Sequence, residues 1–427
     1  MKLEPYWLAT APQFTGSAAG SVEGRFDIAV IGGGFTGLSA ALALAKAGAS
    51  VAVLEAGRVV GQASGRNGGH CSNGLAHDLG TLAGKIGMER AAAMYRAFDE
   101  GVDEVEALVR EEGIDCGFRR TGRVKAAAKP EHYDKVKRSF AVLKREVEPD
   151  AELLGPADIR REVGSDKFYG GIVFPKSAQM HVARFGVGLA EAAARRGAQV
   201  YENAAVTALE RLNGSGHRVT TTRGTLEAKQ VLVATGVSRQ GPLFWFRRRI
   251  IPIGSFIVAT EPLPQSLVDA ILPTRRSVST TRHIGNYFRL AEDNRLIFGG
   301  RARFAMTSPS SDAKSGRILQ ASMRHYFPEM KNVGIDYCWG GLVDMTADRL
   351  PRTGEHAGLY YAVGLSGHGT QISVHLGQAM ARRMAGGTKA GDTLFDDPHW
   401  PAIPGHFGPP WFLPFIGAYY RFLDWRH

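Results

Sequence analysis

The apolar and polar positions in the first part of the chain follow a strand–helix–strand order. Residues 26–31 are almost continuously apolar, which predicts a strand buried on both faces of a parallel sheet. Residues 32–34 are three glycines that end this run, and the small and apolar residues 36–47 predict a helix that ends at Gly48. Residues 50–55 predict a second strand. The whole unit takes about 30 residues, the usual span of one βαβ unit.

Similar apolar strands and Ala-rich helices recur in the middle and near the end of the chain. The Gly-, Ser- and Asn-rich residues 62–74 predict a long loop. Residues 250–300 show an alternating pattern broken by Gly and Pro, which is typical of an antiparallel sheet. The other predicted helices are residues 88–112, 184–196 and 372–384, and the other predicted strands are residues 197–201, 230–234 and 358–363.

Strands and helices typical of a dinucleotide-binding domain therefore lie at the start, middle and end of the chain, and segments that predict an antiparallel sheet lie between them. This order predicts an α/β fold in which a discontinuous Rossmann-like domain carries an inserted antiparallel-sheet domain. We assign residues 26–85, 150–245 and 331–390 to the dinucleotide-binding domain, residues 86–149 and 246–330 to the inserted substrate domain, and residues 391–427 to an aromatic-rich C-terminal tail.

The first glycine turn has the Gly-x-Gly-x-x-Gly spacing of a dinucleotide site. Gly32 permits a tight turn, Gly34 lets a pyrophosphate approach the backbone, and Gly37 lets the helix pack closely on the strand. The N-terminus of the helix favours an anion at this point. Glu55 ends the second strand, where its carboxylate accepts hydrogen bonds from ribose hydroxyls and repels a 2′-phosphate.

Two more glycine-rich loops favour FAD over NAD as the dinucleotide. Residues 63–69 follow the second strand closely, and Gly364-x-x-Gly367-x-Gly369 opens a helix near the C-terminus. Such loops offer backbone N–H groups to a flat ring, and a helix N-terminus stabilises negative charge on a reduced flavin. The sequence contains no second Gly-x-Gly-x-x-Gly unit of the kind that an enzyme using both NADPH and FAD needs.

With these loops in place, further short motifs carry a resemblance over essentially the whole chain. They are residues 6–12, 63–69, 251–252, 259–263, 287–289, 298–300, 339–341, 346–351 and 364–370. On these motifs the chain resembles the glycine/D-amino-acid oxidase (DAO) family of FAD-dependent amine oxidoreductases. Within that family it is similar to the branch that contains gamma-glutamylputrescine oxidoreductase.

The resemblance implies roles for individual residues. The pyrophosphate would lie at Gly32, Gly34, Phe35, Thr36 and Gly37, and the adenosine end at Glu55, Ala56, Arg58 and the backbone of Val206. Ser64, Arg66, Asn67, Gly68 and Gly69 would line the flavin near N5, while Ala234, Thr235 and Gly236 would close over the cofactor. Gly341, Gly364, Gly367, His368, Gly369 and Thr370 would cover the pyrimidine side.

The sequence departs from the family at two positions. Gly341 stands where some relatives carry the cysteine that binds FAD covalently, and Cys338 lies three residues upstream, so we expect non-covalent FAD. Some oxidase relatives also carry a lysine that helps oxygen react with reduced flavin, and here the corresponding position, near Ile297, is apolar. A dehydrogenase with another electron acceptor is therefore an alternative to an oxidase.

The resemblance implies oxidation of a small primary or secondary amine, either a polyamine derivative or an amino acid, by hydride transfer to flavin N5. We expect Tyr287, Trp339 and His368 in the catalytic pocket, where an apolar and aromatic environment lowers the pKa of the amine. Packing is the alternative role for Tyr287 and Trp339. The alternative functions are a flavin dehydrogenase or hydroxylase with a non-amine substrate, and a membrane-associated amine dehydrogenase that reduces quinone.

Composition excludes several other classes of function. The net charge is +11, but the basic residues are scattered and the run Arg247–Arg249 is short, so we expect no nucleic-acid partner. Cys71, Cys116 and Cys338 form no CxxC pair, so we expect neither a disulfide framework nor a metal site.

The sequence also predicts the location of the protein and the role of its tail. No apolar stretch approaches the roughly 20 residues that cross a bilayer, and the N-terminus lacks a signal-peptide pattern, so we expect a cytoplasmic location. The aromatic residues of the tail favour packing against the FAD-binding domain. Contact with a membrane surface is the alternative that we do not favour, and the sequence leaves the oligomeric state open.

Overall fold

The strand Arg25–Ile31 lies at the centre of the first sheet and is parallel to both of its neighbours, Val51–Leu54 and Gly224–Val233. All residues of Val51–Leu54 are buried, in agreement with its continuous apolar run.

This computed structural model describes residues 1–213, 215–238, 241–282, 284–300, 306–386 and 393–426. Within them, the strand order of the first sheet is Arg352–His356, Leu359–Val363, Gly224–Val233, Arg25–Ile31, Val51–Leu54 and Gln199–Tyr201, with Val206–Arg211 and His217–Thr221 paired beside Gly224–Val233.

Two helices cover the first sheet close to the glycine turn. Helix Gly369–Met384 packs against helix Phe35–Lys46, and a Cβ on Gly377 would lie 2.4 Å from the carbonyl oxygen of Thr36. Glycine at position 377 therefore lets the two backbones approach closely, and Ser39 Oγ donates to the carbonyl of Val374 at 3.3 Å. This contact fixes the N-terminal ends of both helices in one region of the molecule.

The second sheet is mostly antiparallel. Its strand order is Ile335–Met345, Ile251–Thr260, Leu296–Gly300, Asn286–Leu290, Ser277–Thr280, Arg123–Ala126, Gly171–Phe174 and Glu152–Leu154, and the pair Arg123–Ala126 with Ser277–Thr280 is parallel. A short ribbon pairs His70–Cys71 with Ala178–Gln179. The described helices are Tyr6–Thr10, Phe35–Lys46, Ala63–Arg66, Leu79–Ile86, Met88–Glu111, Pro130–Glu146, Val182–Arg195, Phe244–Arg247, Gln265–Ile271, Pro309–Tyr326, Gly369–Met384 and Leu413–Arg426, with 3₁₀ turns at Ile159–Arg161 and Pro328–Asn332.

These two sheets confirm the predicted α/β fold with its added antiparallel sheet. The division into domains stays a prediction, and its ranges do not follow the sheets everywhere. Glu152–Leu154, Gly171–Phe174 and Ile335–Met345 fall within ranges that we assigned to the dinucleotide-binding domain, yet they hydrogen-bond within the second sheet. Strand pairing between distant segments decides this membership, and no local pattern encodes it.

The predicted long loop at residues 62–74 is wrong in detail. It contains the one-turn helix Ala63–Arg66 and the strand His70–Cys71. Asn67 shapes the segment, because its Nδ2 donates to the carbonyl of Ser64 at 2.9 Å and its Oδ1 accepts from the amide of Gly69 at 2.9 Å. Elements this short leave no periodic signal in a sequence.

The C-terminal tail packs on both sheets through one side, whereas we predicted packing against the FAD-binding domain. Leu413 is buried in a small cluster with Ile253 and Met345, and Trp400 meets Trp245 edge to face with ring centroids 5.4 Å apart. The other side of helix Leu413–Arg426 is exposed at Phe415 and Tyr419. Among the residues that the structure describes, no helix is long and apolar enough to cross a membrane.

Candidate functional site

The first glycine turn has the geometry of an anion cradle. Gly32 has a φ of +115°, a conformation that glycine adopts without strain, and a Cβ on Gly37 would lie 2.0 Å from the carbonyl oxygen of Gly32. Helix Phe35–Lys46 begins directly after Gly34 without a side-chain cap. Ser64 Oγ accepts from the amide of Phe35 at 3.1 Å, and the other amides of the first helical turn can bind an anion, as at other helix N-termini.

The carboxylate of Glu55 is held in place by two backbone amides. Its Oε2 accepts from Gly33 at 2.7 Å and its Oε1 from Gly57 at 2.9 Å. Burial is the main influence on this carboxyl and raises its pKa, while the two amides act in the opposite direction. Each oxygen keeps further acceptor capacity, so Glu55 can receive ribose hydroxyls in a fixed orientation.

The other residues expected at the adenosine end lie around Glu55. The amide of Ala204 donates to the carbonyl of Glu55 at 2.8 Å, which brings the start of strand Val206–Arg211 to this edge of the site. Ala56 and Arg58 are exposed. A Cβ on Gly32 would lie 2.7 Å from the carbonyl oxygen of Ala234, so the segment Ala234–Gly236 lies beside the glycine turn.

Two indole groups fix the loop at residues 63–69. Trp7 Nε1 donates to the carbonyl of Asn67 at 2.8 Å, and Trp339 Nε1 donates to the carbonyl of Arg66 at 2.8 Å. Trp339 is buried, with 1% of its surface exposed. It therefore supports the loop, and its position fits the packing role better than a place in the pocket wall. We had not singled out Trp7 as a functional residue.

Arg289 is a second residue that we did not select, although it ends the quoted motif at residues 287–289. Its buried guanidinium donates to the carbonyl of Gly68 at 2.9 Å, to the carbonyl of Met180 at 2.7 Å and to Gln179 Oε1 at 3.1 Å. Burial lowers the pKa of Arg289 to about 9. The positively charged guanidinium of Arg289 therefore lies against the backbone at the end of the loop at residues 63–69.

Tyr287 lies on the other side of the same glycine. A Cβ on Gly68 would lie 2.7 Å from Tyr287 Cε2, and the phenol oxygen is 3.3 Å from Ser255 Oγ. The ring of His70 meets the ring of Tyr287 edge to face at 5.3 Å. Burial lowers the pKa of His70 to about 3, with Arg289 and Arg123 adding to the effect, so this histidine is neutral at physiological pH.

The strand Ile335–Met345 connects the loop to the C-terminal glycine motif. Arg66 donates to the carbonyl of Gly340 at 3.1 Å, and a Cβ on Gly341 would lie 3.3 Å from the Cβ of Arg66. Further along the strand, Asp344 Oδ2 accepts from the amides of Gly364 and Leu365 at 2.9 and 3.0 Å. Asp344 is another residue that we missed, and burial raises its pKa to about 6.

The C-terminal glycine motif completes the arrangement. Gly364 has a φ of +75°, and a Cβ there would lie 2.4 Å from Thr346 Cγ2, so this position requires glycine. Gly367 also has a positive φ of +81° and is exposed, while His368 is partly exposed and its amide donates to the carbonyl of Leu365 at 3.1 Å. Helix Gly369–Met384 begins here, and Thr370 lies in its first turn.

Of the residues discussed at the two departures from the family, Gly341 is half-buried, whereas Cys338 and Ile297 are fully buried. Cys338 Sγ lies 3.2 Å from the carbonyl of Asp312, and burial raises the pKa of its thiol to about 12. A buried thiol with a raised pKa is a poor nucleophile. Ile297 is fully buried in strand Leu296–Gly300, opposite Arg289 and Ala259.

Comparison with known proteins places this chain among related sequences. Residues 27–383 match the family described as "FAD dependent oxidoreductase" (DAO). The chain is 32% identical over 404 residues to gamma-glutamylputrescine oxidoreductase of Escherichia coli (strain K12), covering 93% of this chain and 92% of the relative. It is 31% identical over 404 residues to the probable oxidoreductase OrdL of Haemophilus influenzae (strain ATCC 51907 / DSM 11121 / KW20 / Rd), again covering 93% and 92%.

Two solved structures share the fold. Glycine oxidase from Geobacillus kaustophilus superposes with a TM-score of 0.71 at 24% identity, covering 89% of this chain and 99% of that chain. L-Amino acid deaminase from Proteus myxofaciens superposes with a TM-score of 0.74 at 19% identity, covering 91% and 96%. At these identities the likeness shows the arrangement of the chain and does not extend to the substrate.

Proposed function

Because this chain belongs to the family of FAD-dependent oxidoreductases, we propose that it oxidises a small primary or secondary amine, either a polyamine derivative or an amino acid. Membership of this family means that the protein is an FAD-dependent oxidoreductase. The amine is supported by the names of its relatives, which include gamma-glutamylputrescine oxidoreductase and glycine oxidase. It is also supported by the two rings near Gly68, the phenol of Tyr287 and the neutral imidazole of His70.

The residues of the site fit FAD in three separate places. The pyrophosphate would be held by the backbone of Gly32–Gly37, where the helix begins without a side-chain cap. The ribose would be held by Glu55, which two amides orient. The flavin would lie between the loop at residues 63–69 and the Gly364–Thr370 motif, which strand Ile335–Met345 connects to each other. This convergence of distant glycine loops on one strand is the observation that carries the proposal.

The site residues would keep the bound amine in its reactive neutral form. When bound, FAD accepts a hydride equivalent from the carbon next to the amine nitrogen, and water then hydrolyses the imine to a carbonyl product. An ammonium group cannot lose that hydride readily. The buried cation of Arg289 behind Gly68 would disfavour a second positive charge and so lower the pKa of an amine bound beside Tyr287, and the neutral ring of His70 adds no negative charge that would offset this effect.

Anaerobic reduction of the flavin tests this proposal. The purified holoprotein is mixed under nitrogen with a panel of amines and amino acids, and the flavin absorbance is followed. We expect at least one amine to bleach the flavin, whereas NADPH leaves the absorbance unchanged. Bleaching by NADPH without any amine response would favour a flavin hydroxylase, and a flavin that responds to neither would contradict the assignment.

We also propose that FAD is bound without a covalent link. The only cysteine close to the family's attachment position, Cys338, is buried with a raised thiol pKa, and Gly341 has no side chain to attach. Acid precipitation should therefore release the yellow colour into the supernatant. Colour that stays with the pellet would contradict this proposal, and a Cys338→Ser variant would show whether that thiol holds the flavin.

For the electron acceptor, the buried Ile297 supports a dehydrogenase over a fast oxidase. The position lies inside strand Leu296–Gly300 and offers no cation to assist oxygen. After reduction by an amine, air should reoxidise the flavin slowly, while a soluble quinone analogue should reoxidise it quickly. Rapid reoxidation by air alone would show that the enzyme is an oxidase.

A further inference from the structure

The C-terminal tail presents a set of exposed aromatic side chains, which we call the aromatic face. Of the eleven large hydrophobic side chains that are exposed within the described ranges, six belong to this segment, and five of these six are aromatic. The aromatic face consists of Phe407, Trp411, Phe415, Tyr419 and Phe422, with exposed fractions of 61%, 68%, 70%, 59% and 50%. Exposure of this extent at five aromatic residues within one short segment indicates an interaction surface.

Helical spacing places these residues on one side of the tail. Trp411 precedes helix Leu413–Arg426, and Phe415, Tyr419 and Phe422 follow at intervals of four, four and three residues. The neighbouring side of the helix is occupied, because Leu413 is buried and packs with Ile253 and Met345. The helix therefore lies along the protein surface with its aromatic side turned outward.

Positive charge borders the aromatic face. The guanidinium of Arg248 lies 5.2 Å from the ring centroid of Phe407, and that of Arg247 lies 5.6 Å from the ring of Phe244, which is 49% exposed. In the sequence of residues 401–427, Asp424 is the only acidic residue, whereas both Arg421 and Arg426 are present. The whole chain carries a net charge of +11.

We propose that the aromatic face docks this protein on an anionic lipid surface. Trp and Tyr favour the boundary between headgroups and acyl chains, and arginines at the border attract acidic headgroups. The first turn of the helix is anchored by the contacts of Leu413 with Ile253 and Met345, which leave Trp411, Phe415 and Tyr419 exposed to meet a lipid surface. This mode of binding needs no membrane-spanning helix, and the described residues contain none.

Vesicle co-sedimentation of the FAD-loaded full-length protein tests the proposal. One set of vesicles contains phosphatidylcholine alone, and the other contains phosphatidylcholine and phosphatidylglycerol at about 3:1. We expect the protein to sediment with the phosphatidylglycerol vesicles about tenfold or more in excess of the neutral ones, and added salt should reduce this binding. Equal and weak sedimentation with both kinds of vesicle would overturn the proposal.

Two variants locate the contact. Trp411→Ser combined with Phe415→Ser should reduce binding to the anionic vesicles about tenfold or more, because it removes the two most exposed rings of the face. Arg247→Gln combined with Arg248→Gln should remove the preference for phosphatidylglycerol. Tyr169→Ser, which changes an exposed aromatic residue outside the tail, is the matched control and should leave binding unchanged.

Two control measurements make the outcome decisive. The melting temperature of the Trp411→Ser, Phe415→Ser variant should match that of the unaltered protein, because both side chains are largely exposed. Arg247 and Arg248 are half-buried, so the melting temperature of their variant is measured to separate a loss of lipid binding from a loss of stability. Sedimentation velocity reports self-association in the absence of lipid. A dimer that dissociates in the Trp411→Ser, Phe415→Ser variant, together with no lipid binding, would show that a second copy covers this face and would overturn the proposal.

Discussion

The guanidinium of Arg289 donates to the carbonyl oxygen of Gly68 at 2.9 Å, across 221 residues of sequence. The same group reaches the carbonyl of Met180, so one buried cation joins the second sheet to the end of the loop at residues 63–69. This contact fixes the position of the loop that we propose lines the flavin.

Replacing Arg289 should weaken both the fold and flavin binding. In Arg289→Met the carbonyls of Gly68 and Met180 lose their buried donor, and each loss costs about 1–3 kcal/mol in the free energy of unfolding. Urea unfolding of the apoprotein and FAD titration measure the two effects. Arg25→Met, which removes an exposed arginine paired with Glu227, is the control and should change neither value. An Arg289→Met protein as stable as the parent would contradict this role.

Charge reversal at Glu55 should abolish FAD binding. Glu55→Lys removes the acceptors for the ribose hydroxyls and also leaves the amides of Gly33 and Gly57 without their acceptor. Glu55→Gln keeps one acceptor oxygen, and the loss of a charged hydrogen bond worth about 1.5–3 kcal/mol should weaken FAD binding about ten- to hundredfold. Flavin absorbance of the purified variants reports occupancy. Full occupancy in Glu55→Lys would show that Glu55 is not the ribose ligand.

His181 should make the protein less stable as pH falls. The amide of Arg184 donates to His181 Nδ1 at 3.2 Å, and burial together with Arg184 and Arg289 lowers the pKa of this histidine to about 3 from 6.5. The unfolded chain therefore takes up a proton below about pH 6.5 that the folded protein does not bind until near pH 3. Stability from this group is lost as pH falls through that window.

The His181→Gln variant isolates this effect. Between about pH 7 and about pH 5, its free energy of unfolding should fall by about 1–2 kcal/mol less than that of the unaltered protein. Guanidinium unfolding curves at the two pH values give the comparison. Equal losses in the two proteins would show that His181 does not contribute to the acid sensitivity.

The parts of the site that the sequence predicts are those encoded locally. Gly32 and Gly364 sit at turns whose backbone requires glycine, and Gly37 allows a close approach of the helix to the turn. The helices beside them have strong apolar patterns. Arg289 and Trp339 behave differently, because each acts on a loop more than 200 residues away. An arginine in a strand and a tryptophan in a strand give no local sign of the partner that they reach.

The same reasoning explains why three strands of the second sheet fall within the ranges predicted for the dinucleotide-binding domain. Gly171–Phe174 is entirely buried, and a short apolar run of this kind fits either sheet. Its place is decided by pairing with Arg123–Ala126. Asp344 was missed for a related reason, since its function depends on the amides of Gly364 and Leu365 some twenty residues later.

Removing the C-terminal tail should lower the stability of the protein. A chain that ends at residue 396 loses Trp400 and Leu413, and it uncovers Ile253 and Met345. Burial of large apolar side chains contributes about 1.5–3 kcal/mol each, so the melting temperature should fall by several degrees. Binding of a hydrophobic dye should increase. A truncated protein with unchanged melting temperature and dye binding would show that the tail does not complete the core.

The central claim is that the flavin takes a hydride from the carbon next to an amine nitrogen, and rapid mixing under nitrogen tests it directly. The holoprotein is mixed with the most reactive amine of the panel, once with ordinary hydrogen and once with deuterium on that carbon. We predict that flavin absorbance is lost in both reactions and that the deuterated amine reacts several-fold more slowly. An absorbance that no amine changes under nitrogen would contradict the account.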